Sequence, residues 1–163
     1  MLASSFKKPW HPKCDCIIKT KSSLYKSKKL CGNKCEKGAY VVNITSHESN
    51  VTIVASGTEV ELALKVQEKL KENNIDSKVV SMPCMELFDK QPKNFQNDII
   101  DQDSLVVTLE AGSIMSWQKY IKNKGMNVGI DQFGESAPYK EVYNHFGLSE
   151  EKITNFIQNK LRE

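Results

Sequence analysis

No apolar run in this chain of 163 residues approaches the roughly 20 residues that a helix needs to cross a bilayer. Lys7 and Lys8 stand near the start, but no continuous apolar segment follows them, so a secretory signal is not expected. Acid is nearly missing from the first part. Residues 1–43 hold ten Lys against Asp15 and Glu36, a net of +8, and because the whole chain carries +3, residues 44–163 carry −5. Cysteine is scarce in the opposite sense: Cys14, Cys16, Cys31 and Cys35 crowd the basic part, and Cys84 stands alone beyond it. These shortages argue against a helical membrane protein, predict a soluble cytoplasmic chain, and place a boundary near Gly38. Residues 1–37 read as a basic Cys/Lys-rich segment, irregular or disordered, and residues 38–163 as one domain long enough to bury a core.

What the second part contains is an alternation of β-rich runs with helical patterns. The runs are Ala39–Asn43, Val51–Ser56, Lys78–Met82, Ser104–Glu110 and Met126–Ile130. Val51 to Ala55 and Leu105-Val106-Val107 are nearly continuous in apolar character, as expected for strands covered on both faces. Helical crossovers between strands imply a mostly parallel sheet. The connection Ile44–Asn50 is too short for a crossover, so Ala39–Asn43 is expected to be an antiparallel edge. The predicted fold class is α/β: a three-layer, Rossmann-like domain with a five-stranded, mostly parallel sheet and one antiparallel edge strand.

Helix signals fill the gaps. Gly57 breaks a strand, and Thr58-Glu59-Val60-Glu61 has capping-box spacing, with Val60, Ala63, Leu64 and Leu70 as the inward stripe and Asn73-Asn74 as the stop. A helix after Gly112 is expected to bury Met115, Trp117, Tyr120 and Ile121 and to end at Gly125. Ser136-Ala137-Pro138 opens another, Gly147 closes it, and Ser149 caps a last helix with Ile153, Phe156, Ile157 and Leu161 inward. No internal repeat is present.

Four motifs, in order, carry a family resemblance. They are Ala55-Ser56-Gly57-Thr58-Glu59-Val60, the Ser81–Phe88 run Ser-Met-Pro-Cys-Met-Glu-Leu-Phe, Glu110-Ala111-Gly112 followed by Trp117, and the Gly129–Gly147 run with Phe133-Gly134-Glu135-Ser136-Ala137-Pro138. Together they resemble the C-terminal domain of the transketolase family over about Gly38 to Leu161. The resemblance implies a homodimeric parent that uses thiamine diphosphate and a divalent metal (Mg or Ca) to move a two-carbon ketol unit between sugar phosphates in the pentose phosphate pathway. In that family the cofactor groups sit on the two preceding domains. The Gly-Asp-Gly metal motif with a later Asn is missing here, and Gly129-Ile130-Asp131 is not an equivalent. No catalytic or cofactor-binding residue is therefore carried over, and no cofactor is expected in this chain. The expected partners are the remaining transketolase domains or a second subunit, with a homodimer among the assemblies. Residues 1–37 do not resemble the adjoining part of the family, which predicts a truncated or frame-altered product.

Several residues invite chemical readings. Cys14-x-Cys16 and Cys31-x3-Cys35, with His11 as a substitute, could offer thiolates to zinc, although neither pair has the usual two-residue gap. Ten lysines could neutralise phosphates, but Phe6, Trp10 and Tyr25 are too few aromatics for a stacking platform, and a solvated basic tail is favoured over nucleic-acid binding. Ser56, Gly57 and Thr58, at a strand end opening a helix, form an anion-binding candidate without the fuller glycine pattern of a nucleotide loop. Glu110, Asp131, His145 and Cys84 could be assembled into an acid–base or nucleophile scheme, while the blander readings are loop-holding carboxylates, a packed histidine and a buried thiol. The alternative to the transketolase reading is a stand-alone anion- or nucleotide-binding module with a metal- or nucleic-acid-binding N-terminal segment.

Overall fold

Val51–Ala55 and Leu105–Leu109, among the most apolar stretches of the sequence, become neighbours at the centre of the sheet. The computed structural model describes residues 35–121, 125–132 and 138–163. Its strands are β1 (Tyr40–Ile44), β2 (Val51–Ala55), β3 (Ser77–Ser81), β4 (Leu105–Leu109) and β5 (Met126–Val128), in the order β1-β3-β2-β4-β5. All five lie where the sequence places them, with ends shifted by no more than two residues. β1 pairs antiparallel with β3 and carries an irregularity between Val41 and Asn43, whereas β3, β2, β4 and β5 run parallel. The mostly parallel sheet with one antiparallel edge is as expected.

Helices cover both faces. α1 (Glu59–Glu72) crosses from β2 to β3, while α2 (Met85–Asp89) and α3 (Lys93–Ile99) carry the chain back past β2 to β4. α4 (Tyr139–His145) and α5 (Glu150–Arg162) follow β5. Side chains alternate across each strand. Val51, Ile53 and Ala55 therefore join Val60, Ala63, Val66, Leu70, Ile153 and Ile157 on one side, and Val54, Val80 and Val106 join Phe88, Trp117 and Tyr120 on the other. A 3-10 helix over Met115–Tyr120 supplies the last two rings.

Helix starts and stops follow local chemistry, with one correction. α1 ends at Glu72, where the Asn73 amide reaches the Leu70 carbonyl and Asn74 takes a positive φ of 58°. Ser149 caps α5, its hydroxyl accepting from the Lys152 amide at 3.5 Å. The capping box at Thr58 does not form. Thr58 has helical angles, φ −73° and ψ −24°, whereas an accepting N-cap needs an extended backbone. Its hydroxyl donates instead to Glu59 Oε1 at 2.9 Å.

Three expected core residues are not core. Met115 is 79% exposed because the segment is a 3-10 helix that ends at Tyr120, well before Gly125. With three residues per turn, Trp117 and Tyr120 share a face that Met115 does not. Phe156 and Leu161 are 50% and 39% exposed, since α5 meets the core along the narrow stripe of Ile153 and Ile157. The predicted helix start at Pro138 and stop at Gly147 are observed, while Ser136 and Ala137 lie outside the described residues.

Candidate functional site

Direction reverses at the carboxyl ends of β2 and β4: the chain leaves β2 toward β3 on one side, and β4 lies on the other. Such a reversal opens a crevice, the usual binding position in an open α/β sheet. Ser56 and Glu110, the residues that follow β2 and β4, meet there, with Ser56 Oγ donating to Glu110 Oε2 at 3.5 Å. Trp117 Nε1 donates to the same oxygen at 3.0 Å. The motif Glu110-Ala111-Gly112 and its distant Trp117 are thus one hydrogen-bonded unit. This bond ties the 3-10 helix to the strand end.

The Ser56–Thr58 turn is bordered by carboxylates. Glu59 is 7% exposed, and its Oε1 accepts from the Thr58 hydroxyl at 2.9 Å and from the Tyr143 hydroxyl at 2.8 Å. At the first turn of α1 this negative charge also faces the positive end of the helix dipole. Burial, followed by the Glu59 hydrogen bond and charge, pushes the Tyr143 phenol up to about 12, and the Glu110 charge adds to the rise. Glu59 and Tyr143 escaped the sequence reading. Glu59 was visible only as an acid beside a presumed cap, and nothing local signals that Tyr143, on α4, reaches α1.

The remaining candidates hold loops and helix ends. Asp131 Oδ1 accepts from the Ile114 amide at 3.1 Å, and the Ile130 amide donates to the Gly112 carbonyl at 2.9 Å, so the segments after β4 and β5 are laced together. Gly129 permits that approach: a Cβ there would stand 2.4 Å from Ile114 Cγ2 and 2.9 Å from the Gly112 oxygen. Cys84, expected to be buried, is partly exposed because it stands just before α2, where its thiol donates to Glu86 Oε2 at 3.4 Å. Glu86's own amide, and then this thiol, hold the Glu86 carboxyl below its ordinary value. His145 is exposed, its ring edge-on to Phe146 at 5.1 Å between centroids. The structure brings Ser56 and Glu110 together but joins neither His145 nor Cys84 to them through any of these bonds.

Cys14, Cys16, Cys31 and His11 lie outside the described residues; Cys35 is buried at 4% exposure. Among the described residues no three of His, Cys, Asp and Glu come together as metal ligands, and no helix is long and apolar enough to cross a membrane. A metal-bound diphosphate needs converging carboxylate and amide oxygens, yet Glu110 is already engaged by two protein donors. The described residues do not fit thiamine diphosphate and its metal, and no chemical step through them follows. An open cleft of about 680 Å³ lies at the opposite, amino end of the strands, lined by residues including His47, Asp101, Asp103, Ser104 and Lys160. Its charges are mixed, and it is remote from the crevice.

Strand order, two covered faces and a strand-end crevice define a doubly wound α/β domain. The family model for the transketolase-like TK C-terminal domain matches residues 38–149, and the chain belongs to that family. The transketolase of Bacillus subtilis (strain 168) is 40% identical over 125 residues, covering 76% of this chain and 19% of that protein. The solved transketolase from Leishmania mexicana is 34% identical with a TM-score of 0.72, covering 80% of this chain and 19% of that one. A structure described as a split gene transketolase, inactive beta4 tetramer, has a TM-score of 0.59 at 24% identity, covering 78% of this chain and 43% of that one, and shares the fold. The chain spans about a fifth of the length of the first two proteins.

Proposed function

We propose that this chain serves as the non-catalytic C-terminal domain of a transketolase, with residues 38–163 as the family domain and a basic segment ahead of it. In this reading the parent enzyme works in the cytoplasm and transfers a two-carbon ketol unit between sugar phosphates. Thiamine diphosphate and a divalent metal are held by its other domains. The observation that carries the reading is the Glu110 unit. The crevice carboxylate accepts from Trp117 and Ser56, which makes it a tie between sheet and 3-10 helix. Around it, Glu59 and Asp131 likewise hold α1 and the loop after β4.

The carboxylates beside Ser56, Gly57 and Thr58 also disfavour an anion at that turn, because like charge there costs energy. The stand-alone anion-binding alternative therefore gains no support. One neighbour of the same fold is described as coming from a split gene, which makes a partner chain the first thing to seek.

The test mixes this chain with the Bacillus subtilis transketolase from which the C-terminal domain has been deleted. Co-elution on size-exclusion chromatography, with a raised melting temperature or restored ketol transfer, is expected. Absence of both association and stabilisation would remove the docking role. Ketol transfer by this chain alone, supplied with thiamine diphosphate and magnesium, would overturn its non-catalytic assignment.

A further inference from the structure

Cys35, Glu36 and Lys37 form a 3-10 turn just ahead of the stretch matched by the family model, which begins at residue 38. The turn is bound into the domain. Cys35 is 4% exposed, and its carbonyl accepts from the Gly38 amide at 3.1 Å. The Gly38 carbonyl in turn accepts from the Cys84 amide at 3.1 Å, immediately before α2. Lys37 Nζ lies 4.6 Å from the centroid of the Phe95 ring on α3, within cation–π range.

Gly38 makes this seat tight. Its φ is +86°, and a Cβ would come within 2.3 Å of the Phe88 nitrogen and 2.4 Å of the Cys84 oxygen. Both are backbone atoms, and they are joined by the hydrogen bond that closes the first turn of α2, Phe88 amide to Cys84 carbonyl at 3.2 Å. Neither can move aside without disturbing that turn. Directly after Gly38, Ala39 is buried in the aromatic core with Phe88, Trp117 and Tyr120.

We infer that residues 35–38 are a strap that clamps the incoming polypeptide onto the α2–α3 face. Linkers between domains usually make few contacts and leave their domains free to reorient. Here a buried side chain, two main-chain hydrogen bonds, a cation–ring contact and a glycine seat fix the direction in which the chain meets the domain. The structural unit reaches back at least to Cys35, ahead of the boundary that charge and cysteine distribution mark at Gly38. The strap stands on this geometry alone. Its use in orienting a preceding domain rests on the transketolase reading above.

The strap contains its own reporter, because Cys35 is buried whereas Cys84 is partly exposed. The full chain is treated with N-ethylmaleimide, and modification of each cysteine is followed by peptide mass spectrometry. Cys84 is expected to react at least about tenfold faster than Cys35, which becomes accessible only when the strap opens. In Gly38→Ala, Cys35 modification accelerates about tenfold or more, because the positive φ is strained for alanine, while circular dichroism keeps the native signal. Trypsin gives a second reading, since the Lys37–Gly38 bond resists cleavage in the wild type and yields in the variant. Equal reactivity of Cys35 and Cys84 in the wild type overturns the strap, as does cleavage after Lys37 at the rate of the urea-unfolded chain. If Gly38→Ala loses the native circular dichroism, Phe95→Ala replaces it, with an expected two- to fivefold, roughly, gain in cleavage after Lys37. No gain in that variant also overturns the proposal.

Discussion

The two faces of the sheet are packed in different ways. Over one, α1 and α5 bring Val60, Ala63, Val66, Leu70, Ile153 and Ile157 onto the strands, and every fully buried side chain of that cluster is aliphatic. Over the other, Phe88, Trp117 and Tyr120 fill the space, with ring centroids 5.8 Å apart between Phe88 and Tyr120 and 6.2 Å between Trp117 and Tyr120. The difference follows from helix length. α1 has 14 residues and can repeat a small apolar stripe over several turns, whereas α2 has five and α3 seven. A short helix offers one or two inward positions, so the layer is completed by large rings. The first face shares its stability among many contacts, and the second concentrates it in a few.

The largest effect should come from removing one of those few. Trp117 is 2% exposed and donates its indole N–H to Glu110. Trp117→Ala is expected to cost about 3–5 kcal/mol, against the lower part of about 2–5 kcal/mol for Leu70→Ala on the aliphatic face. Urea unfolding of both variants measures the contrast. Trp117→Phe sharpens it, keeping an aromatic ring but leaving Glu110 without its indole donor, for about 1–3 kcal/mol. A larger loss in Leu70→Ala than in Trp117→Ala would show that the aromatic face has no single keystone.

The same contrast explains what the sequence revealed. β2, β4 and α1 are legible because each repeats one rule for its whole length: an apolar run in the strands, and Val60, Ala63 and Leu70 at helical spacing. α2 and α3 give no comparable signal, since neither is long enough to repeat a 3.6-residue period. The 3-10 helix misleads in a related way, because assuming the wrong period turns exposed Met115 into core. At the candidate site, Glu110 is legible as a carboxylate ending a strand. Its bond to Trp117 is not, because the crossing of elements that creates it is a property of the tertiary fold. The Tyr143–Glu59 bond spans 84 residues and has no local signature at all.

Each face also carries a tyrosine–carboxylate pair in which burial, and then the carboxylate, raises the phenol; on the aromatic face the carboxylate is lowered as well. On the aliphatic side, the Tyr143 hydroxyl meets Glu59 at 2.8 Å, joining α4 to the start of α1. Tyr143→Phe removes that bond and should cost about 1–2 kcal/mol near neutral pH. Burial first, and the Glu59 contact next, push the folded phenol up from 10.0 to about 12. The folded state therefore retains a proton that the unfolded chain loses. This contribution is complete below pH 10 and disappears as the pH rises through about 12. A melting-temperature profile from pH 8 to pH 12 should fall more steeply in the wild type than in Tyr143→Phe. Parallel profiles would remove Tyr143 from the account.

On the aromatic side the smaller effect lies at low pH. Asp89 accepts from the Tyr120 hydroxyl at 2.9 Å and pairs with Lys119. Burial opposes its charge, but the hydrogen bonds from Lys119 and Tyr120 outweigh that and hold its carboxyl below the ordinary value. The sign is therefore opposite to that of Tyr143. The contribution is present above the unfolded carboxylate range, near pH 4 by model-compound values, and is lost as the pH falls through the lower folded value. The Asp89 side chain is 41% exposed, so solvent screens the pair and keeps its effect below that of Tyr143. Asp89→Asn should lower the melting temperature slightly at pH 7, and the gap to the wild type should close as the pH drops below 4. Because Tyr120 belongs to the aromatic cluster, Tyr120→Phe keeps the ring packing and should reproduce most of this change. If Asp89→Asn leaves the low-pH profile unchanged, the aromatic face is held by ring packing without a measurable contribution from this carboxylate.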